Sequence, residues 1–226
     1  MTGRARRATS TEPDLVVAAA LRLEARALRR GARSARIVRT GMGAARARKA
    51  AAELRDRPGR ALAVAGVSGA LDASLEPGDV VVVSALCELT GGEPEWTELD
   101  SAPELLEILD RSGHRPSLGR LVTVDHIVHS SERSELRATG ARIVDMETAH
   151  LAEGAAGRRF AAVRVVVDTP EHGFASLSFI RSGVRAFRQL ASLLPALEQW
   201  AAASAARPDL HTHGAAAAPQ PIRRSS

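Results

Sequence analysis

Three acidic residues each follow an apolar stretch of the chain, where a side chain is well placed for acid–base chemistry. Glu24 comes shortly after the apolar run of residues 15–20, Glu147 follows a short apolar pair, and Asp168 ends the run that begins at residue 162. Ligands of α/β sheets bind at strand ends. Because a buried carboxylate is costly unless it is paired or used, these positions predict a functional site.

Each carboxylate also has a plainer interpretation. Glu24 can be a solvated residue of an arginine-rich helix, screened by Arg22 and Arg26, and from the residues alone this interpretation is preferred. Glu147 can be a helix N-terminal carboxylate that the helix dipole favours. Asp168 precedes a Thr-Pro pair and can be a turn or cap residue. For the last two residues the alternatives stay open at this point.

Two glycine-containing segments lie near the predicted strand ends. Residues 66–69 read Gly-Val-Ser-Gly, and a glycine such as Gly66 lets a ligand approach the backbone beside Ser68. Residues 41–43 read Gly-Met-Gly but lack the third glycine of a dinucleotide-binding fingerprint, since Arg46 stands at that position. The first segment is therefore a candidate ligand-binding segment, and the second predicts no dinucleotide site.

The histidines do not predict a metal centre. His126 and His129 are three residues apart without a carboxylate at a fixed supporting spacing, so both are interpreted as surface or core histidines. His211 and His213 lie in a low-complexity segment and would form only a weak site. Cys87 is the single cysteine, which excludes an intrachain disulfide and disfavours a cysteine-based metal cage.

Strands alternate with helices in the elements that must position these residues. Apolar runs without clean alternation, separated by helical patterns, predict an α/β sheet covered on both faces. The predicted strands are 15–20, 36–40, 61–67, 79–85, 120–128 and 160–167, with 143–144 leading into a helix. The predicted helices are 22–30, 44–55, 103–111, 131–139, 147–156 and 183–200, the last interrupted at Pro195.

Length and composition indicate one globular domain. Of the 226 residues, 45% are hydrophobic and 25% charged. We expect a disordered leader at 1–13, a domain at 14–201 and a disordered tail at 202–226.

The charge of the chain does not predict a nucleic-acid partner. The formal charge is +5, but five arginines near the chain ends account for that excess, and only 3% of the residues are aromatic. The lone cysteine and the lack of a long apolar run predict a cytoplasmic protein.

Four segments together resemble a known family. TGMG (40–43), AGVSGALDASLEPGDVVV (65–82), TGARIVDMETAHLA (139–152) and VRVVVDT (163–169) are similar to the purine nucleoside phosphorylase/methylthioadenosine nucleosidase superfamily. The details look most like its hopanoid-associated phosphorylase branch, which is thought to remove adenine from adenosylhopane. The resemblance implies a single-domain mixed β-sheet flanked by helices on both faces, and cleavage of a purine N-glycosidic bond.

The resemblance also assigns roles to individual residues. It implies that Asp168 protonates or hydrogen-bonds N7 of the purine, and that Glu147 holds the ribose hydroxyls while Met146 packs on the sugar. Glu24 matches the glutamate that orients the attacking water. Chemically, a protonated Asp168 needs the raised pKa that burial provides. No metal or cofactor is expected.

The base and the nucleophile are assigned less completely. By the same resemblance, Ile127 and Val128 lie where backbone and apolar side chains receive the base. Val67 replaces a frequent serine that contacts phosphate or water, although Ser68 is adjacent, and Val167 replaces a serine that often precedes the catalytic aspartate. Inorganic phosphate therefore remains open as a co-substrate, and phosphorolysis and hydrolysis are not distinguished. A catalytically silent nucleoside-binding protein on the same fold is the alternative of another class.

The resemblance bears on partners as well. It implies a homodimer or a larger homo-oligomer acting on a small nucleoside. Five apolar residues beyond Asp168 are candidates for the mouth of a lipid-binding groove, which would favour contact with a membrane surface. They are Phe174, Leu177, Phe179, Ile180 and Phe187. The alternative is that these side chains pack the closing helix onto the sheet.

Overall fold

The computed structural model describes residues 13–129, 131–168 and 177–203, without the side chains of 168 and 177–184. The predicted leader and nearly all of the predicted tail lie outside these residues. Across the described ranges no helix is both long and apolar enough to cross a membrane.

Strands and helices alternate along the described chain as the sequence predicts. The strands are β1 (Leu15–Ala19), β2 (Arg36–Arg39), β3 (Ala61–Ala70), β4 (Val80–Glu88), β5 (Thr97–Glu98), β6 (Ser117–Thr123), β7 (Ile143–Asp145) and β8 (Arg159–Asp168). The helices are α1 (Arg22–Gly31), α2 (Ala44–Arg55), α3 (Ala102–Arg111), α4 (Arg133–Ala138), α5 (Thr148–Ala152), α6 (Leu177–Ser192) and α7 (Leu194–Ala203). A 3₁₀ turn, Glu153–Ala155, follows α5.

All eight of these strands belong to one mixed sheet. The order runs β2-β1-β3-β7-β6-β4-β5, and β8 pairs with both β3 and β4, which closes a ring of five strands: β3, β8, β4, β6 and β7. The β1–β3 and β3–β8 pairs are parallel, whereas β8 runs antiparallel to β4 and β7 runs antiparallel to β3. The carboxyl ends of β1, β3 and β8 therefore meet at one edge.

Two apolar layers hold helices against both faces of the sheet. One layer joins side chains of α1, α3, α6 and α7 to residues of β1, β3, β4 and β8, with the fully buried Trp200 at its outer part. The other joins α2 and α5 to the opposite face, through residues such as Leu54 and Leu151. The predicted fold class, a single-domain mixed sheet flanked on both faces, is confirmed.

Several predicted elements differ from the structure in their extent. Strand β6 ends at Thr123 rather than at residue 128, because the chain turns at Asp125 and the residues from there to 129 are largely exposed. Strand β3 continues to Ala70 rather than ending at residue 67, so residues 66–69 all belong to this strand. The helix predicted at 183–200 is in fact two helices, α6 and α7, separated by Leu193. Pro195 lies in the first turn of α7, where proline is tolerated.

Candidate active site

A cavity of about 380 Å³ opens at the edge where β1, β3 and β8 end. Its inner part carries polar side chains from β3, β7 and α1, His126 and Arg133 also line it, and most of its remaining wall is apolar. The carboxylates that line it are Glu24, Asp145 and Glu147. The apolar wall includes Leu21, Leu23, Met42, Val67, Val124, Ile127, Val128 and Phe187.

Glu24 is buried in the first turn of α1, with 2% of its surface exposed. Its Oε2 accepts a hydrogen bond from the backbone N–H of Leu21 at 2.7 Å, and its Oε1 accepts one from the N–H of Val67 at 2.8 Å. Burial raises the pKa of Glu24, while the charge of Arg164 and the backbone hydrogen bonds lower it in part. The interpretation of Glu24 as a solvated helix residue is therefore wrong.

Gly66 makes room for two charged side chains above β3. A Cβ atom at this position would lie 2.5 Å from Glu24 Oε1 and 2.6 Å from Nη1 of Arg164. Because glycine has no side chain, the carboxylate of Glu24 and the guanidinium of Arg164 occupy this space. Gly66 itself does not line the cavity. The sequence-based expectation that a ligand approaches the backbone at Gly66 is corrected: protein side chains fill that space.

Arg164 lies beside the site and was not selected from the sequence. It is 1% exposed on β8, between the apolar residues 160–163 and 165–167, and this isolated charge was the signal available in the sequence. Its Nη2 donates to Asp145 Oδ2 and to Thr148 Oγ1, and its Nη1 approaches the carbonyl oxygen of Val67 at 3.4 Å. Arg164 thus links β8 to β3 and to the start of α5.

Asp145 organises the polar base of the site. Its Oδ1 accepts a hydrogen bond from Thr123 Oγ1 at 2.7 Å, and its Oδ2 accepts one from the N–H of Thr148 at 3.0 Å. Thr123 Oγ1 in turn accepts a hydrogen bond from the N–H of Ala149 at 3.1 Å. Buried charges are tolerated when they are paired and hydrogen-bonded, as Asp145 and Arg164 are here.

Glu147 is buried at the residue before α5, with 6% of its surface exposed. Its Oε1 accepts a hydrogen bond at 2.7 Å from the N–H of Gly43, which adopts a φ of +92° that favours glycine. Burial, together with the charge of Asp145, raises the pKa of Glu147 to about 7. The Gly-Met-Gly segment therefore positions a carboxylate, and Glu147 makes no side-chain cap to its own helix.

The raised pKa of Glu147 predicts a specific pH dependence of stability. The folded protein holds this proton up to about pH 7, whereas an unfolded glutamic acid loses it near 4.5. As the pH rises through this interval the unfolded state binds fewer protons, so the free energy of unfolding falls by up to ~3 kcal/mol. We expect Glu147→Gln to remove this slope in denaturant unfolding measured from pH 4.5 to 8. Glu53→Gln, on the exposed side of α2, is the matched control and should retain it.

Two polar atoms at the site have no hydrogen-bond partner within the described ranges. They are the hydroxyl oxygen of Ser68, which lines the cavity, and Nε of Arg164. Such buried groups are uncommon because an unmade hydrogen bond is costly. Ser68 follows Val67, whose N–H donates to Glu24, so its buried hydroxyl is a candidate partner for a polar group in the cavity.

The remaining predicted site residues are placed as follows. Met146, Ile127 and Val128 line the cavity, and Ile127 is 55% exposed at its mouth. The backbone of Asp168 ends β8 beside Gly69, but its side chain is not described. Of the five apolar residues predicted to form a mouth, Phe187 lines the cavity; Phe174 and the side chains of the other three lie outside the description.

His126 has carboxylate partners that the sequence did not reveal. Its Nδ1 lies 2.8 Å from Asp125 Oδ1 and its Nε2 lies 2.8 Å from Glu132 Oε1, at the cavity mouth. The hydrogen bonds to these two carboxylates raise the pKa of His126. His126 is exposed, as the interpretation of a surface histidine predicts, and its carboxylate partners are an additional feature. Among the described residues no group of three or more His, Cys, Asp or Glu side chains could hold a metal ion.

Comparison with known proteins identifies the family of the chain. The family model of the phosphorylase superfamily matches residues 18–197, so the chain belongs to that superfamily. A comparison with curated protein sequences finds no match.

Solved structures with the same fold include several nucleoside-cleaving enzymes. Futalosine hydrolase of Helicobacter pylori superposes with a TM-score of 0.71 at 16% identity, covering 83% of this chain and 97% of its own. The 5′-methylthioadenosine/S-adenosylhomocysteine nucleosidase of Neisseria meningitidis gives 0.68 at 21% identity, covering 82% and 98%. The S-adenosylhomocysteine nucleosidase of Streptococcus pyogenes gives 0.68 at 20% identity, covering 85% and 98%. At these identities the likeness establishes the fold.

Proposed function

We propose that this protein is a nucleosidase that hydrolyses the N-glycosidic bond of an adenosyl-type nucleoside. The observation that carries the proposal is the arrangement at the inner end of the cavity. There the carboxylate of Glu24 is fixed by two backbone N–H groups, next to Arg164 and the unpartnered hydroxyl of Ser68. Membership of the phosphorylase superfamily and the nucleosidases among the similar folds support the same class of reaction.

Glu24 orients and activates the attacking water. Its raised pKa makes the ionised carboxylate a stronger base than an exposed glutamate, and its hydrogen bonds hold it in one orientation. Ser68 Oγ supplies a second hydrogen-bonding group for the water. Positioning of this kind replaces a bimolecular encounter by an intramolecular one and lowers the barrier accordingly.

Glu147 binds the sugar hydroxyls while Met146 packs against the sugar ring. Cleavage of the glycosidic bond gives the sugar oxocarbenium character, and an ionised carboxylate nearby stabilises that positive charge. Two hydroxyl groups that donate to Glu147 favour its ionised form, which offsets the effect of burial on its pKa. The charge of Glu147 is then used in the transition state.

Asp168 protonates the departing purine at N7, next to the apolar contacts that Ile127 and Val128 offer the base. The C–N bond breaks and its electron pair goes to the base, which takes a proton from Asp168. The oxygen of water bonds to the anomeric carbon and its proton passes to Glu24. The products are the free purine and the free sugar, and the reaction requires no cofactor.

Water suits this cavity better than phosphate as the nucleophile. Three carboxylates line the cavity. Of the nearby arginines, Arg133 in the lining donates to the carbonyl oxygen of Ala70, and Arg164 is engaged by Asp145 and Thr148. A phosphate dianion placed beside Glu24 would meet like charge in a poorly solvated site. We therefore propose hydrolysis and treat phosphorolysis as the outcome that the assay must exclude.

The apolar wall supports a substrate whose 5′ carbon carries an apolar group. Leu21, Leu23, Met42 and Phe187 offer carbon contacts, and the cavity is open at its mouth. A long 5′ hydrocarbon such as that of adenosylhopane satisfies this chemistry, and so does a shorter alkylthio group. We propose the long-chain substrate, in keeping with the resemblance to the hopanoid-associated branch.

A series of adenosine analogues with 5′-alkyl chains of increasing length tests the reaction and the substrate together. We expect adenine and free sugar as products, at a rate that does not depend on added phosphate. Each methylene buried against the apolar wall contributes up to ~0.8 kcal/mol, so kcat/KM should rise by up to about fourfold per methylene until the wall is covered. Chromatography of base and sugar products in buffers with and without phosphate measures both effects.

Two results would contradict these assignments separately. Formation of a sugar 1-phosphate, with turnover only when phosphate is present, would make the enzyme a phosphorylase. Adenosine or inosine turned over faster than every 5′-alkyl analogue would exclude the long-chain substrate and leave a general nucleoside-cleaving enzyme. Tight binding of all analogues without any turnover would identify a silent binding protein instead.

A further inference from the structure

An open groove of about 580 Å³ lies between the outer side of α1 and the edge strand β2. Four arginines and one leucine line it: Arg22, Leu23, Arg26, Arg29 and Arg39. All five side chains are exposed. Arg22, Arg26 and Arg29 are spaced by four and three residues on α1, so they lie along one side of that helix.

The positive charge of this face is not neutralised by nearby carboxylates. Residues 21–52 contain nine arginines and one lysine but a single acidic residue, Glu24, which is buried and faces the cavity. Among the described residues no ion pair involves any of the four groove arginines; Arg29 only donates to the carbonyl oxygen of Ile37 at 3.4 Å. Arginine side chains of this kind remain available to an anionic partner.

The groove and the cavity share one lining residue, Leu23. This side chain is 60% exposed, although it is a large apolar residue. Met42 and Ile127, which also line the cavity, are 48% and 55% exposed. Exposed apolar residues next to a cluster of cationic side chains are the combination that binds an anionic lipid surface.

We propose that this basic face docks on the surface of an anionic phospholipid bilayer and turns the cavity mouth toward it. Charge complementarity with lipid phosphates supplies the attraction, and Leu23 with its neighbours enters the interfacial layer. A single soluble anion fits less well, because the arginines are exposed along an open groove and do not converge on a buried pocket. A nucleic acid would call for aromatic stacking partners, and the lining has none.

Docking of this kind would present an apolar substrate to the cavity directly from the bilayer. This consequence depends on the proposed 5′-apolar substrate, whereas the docking itself does not. Vesicle binding is measured without substrate, and turnover is measured on a soluble nucleoside without vesicles. Failure of either proposal therefore leaves the other intact.

Vesicle sedimentation of the full chain tests the docking. We expect binding to phosphatidylcholine vesicles that contain 30% phosphatidylglycerol, little binding to pure phosphatidylcholine, and loss of binding at high salt. Arg26→Glu/Arg29→Glu should weaken the binding by about tenfold or more, and Arg26→Lys/Arg29→Lys should preserve it. Neither arginine takes part in the proposed chemistry, so turnover of a soluble nucleoside should stay unchanged in both variants.

A second charge reversal provides the matched control. Arg115→Glu/Arg137→Glu changes the net charge equally at exposed positions outside the groove and should bind like the unaltered chain. The proposal is overturned if the unaltered chain ignores anionic vesicles, or if Arg26→Glu/Arg29→Glu binds them as well as the control does. It is also overturned if a single-stranded oligonucleotide displaces the protein from the vesicles at equal phosphate concentration.

Discussion

Replacing Glu24 by glutamine should lower kcat by about 10²- to 10⁴-fold, the range expected for loss of a general base. The amide cannot accept a proton from water, and it has one oxygen where the carboxylate uses two, one for Leu21 N–H and one for Val67 N–H. Steady-state assays of adenine release measure the effect. The affinity for a non-hydrolysable nucleoside analogue should change by much less, since Glu24 acts on the water.

A purely structural role for Glu24 would give a different pattern. It would lower the melting temperature and the affinity for the analogue together with kcat. Ser68→Ala provides a milder comparison, because it removes the unpartnered hydroxyl that we propose to bind the same water and leaves the carboxylate in place. Turnover of Glu24→Gln within a few-fold of the unaltered enzyme would refute the assignment.

Replacing Asp168 by asparagine should lower kcat by at least ~10²-fold, because asparagine cannot protonate the departing base. The backbone of this residue ends β8 beside Gly69, where the β3–β8 register shifts, at the edge that carries the cavity. The fold should persist, because the exchange keeps the size of the side chain. Adenine release and the melting temperature are the two measurements.

The leaving group gives this prediction a stringent control. A p-nitrophenyl riboside departs as a stable anion and needs no protonation, so its hydrolysis should fall far less in Asp168→Asn than that of an adenine nucleoside. An equal loss with both substrates would show that Asp168 positions the sugar or the fold and does not act as an acid. Near-normal adenine release would exclude a catalytic role altogether.

The sequence alone was sufficient to predict the sheet, its two covered faces and the edge that carries the site. Apolar runs without alternation indicated the buried strands, and the predicted bounds of α2, residues 44–55, agree with the structure. The strand-end rule marked Glu24 and Glu147 as candidates, and both line the cavity, although for Glu24 the residues alone favoured a solvated position. These features were predictable because hydrophobic periodicity and turn residues act over a few positions.

Only the tertiary structure decided how the charged groups are partnered. Gly43 donates to Glu147 from 104 residues away, and Val67 donates to Glu24 across 43 residues. Arg164 donates a hydrogen bond to Asp145 and lies beside Glu24 above Gly66. This arginine of β8 is therefore the centre of a polar network. Sequence spacing carries no information about such contacts, because closure of the sheet brings distant strand ends together. The resulting burial raises the pKa values of Glu24 and Glu147.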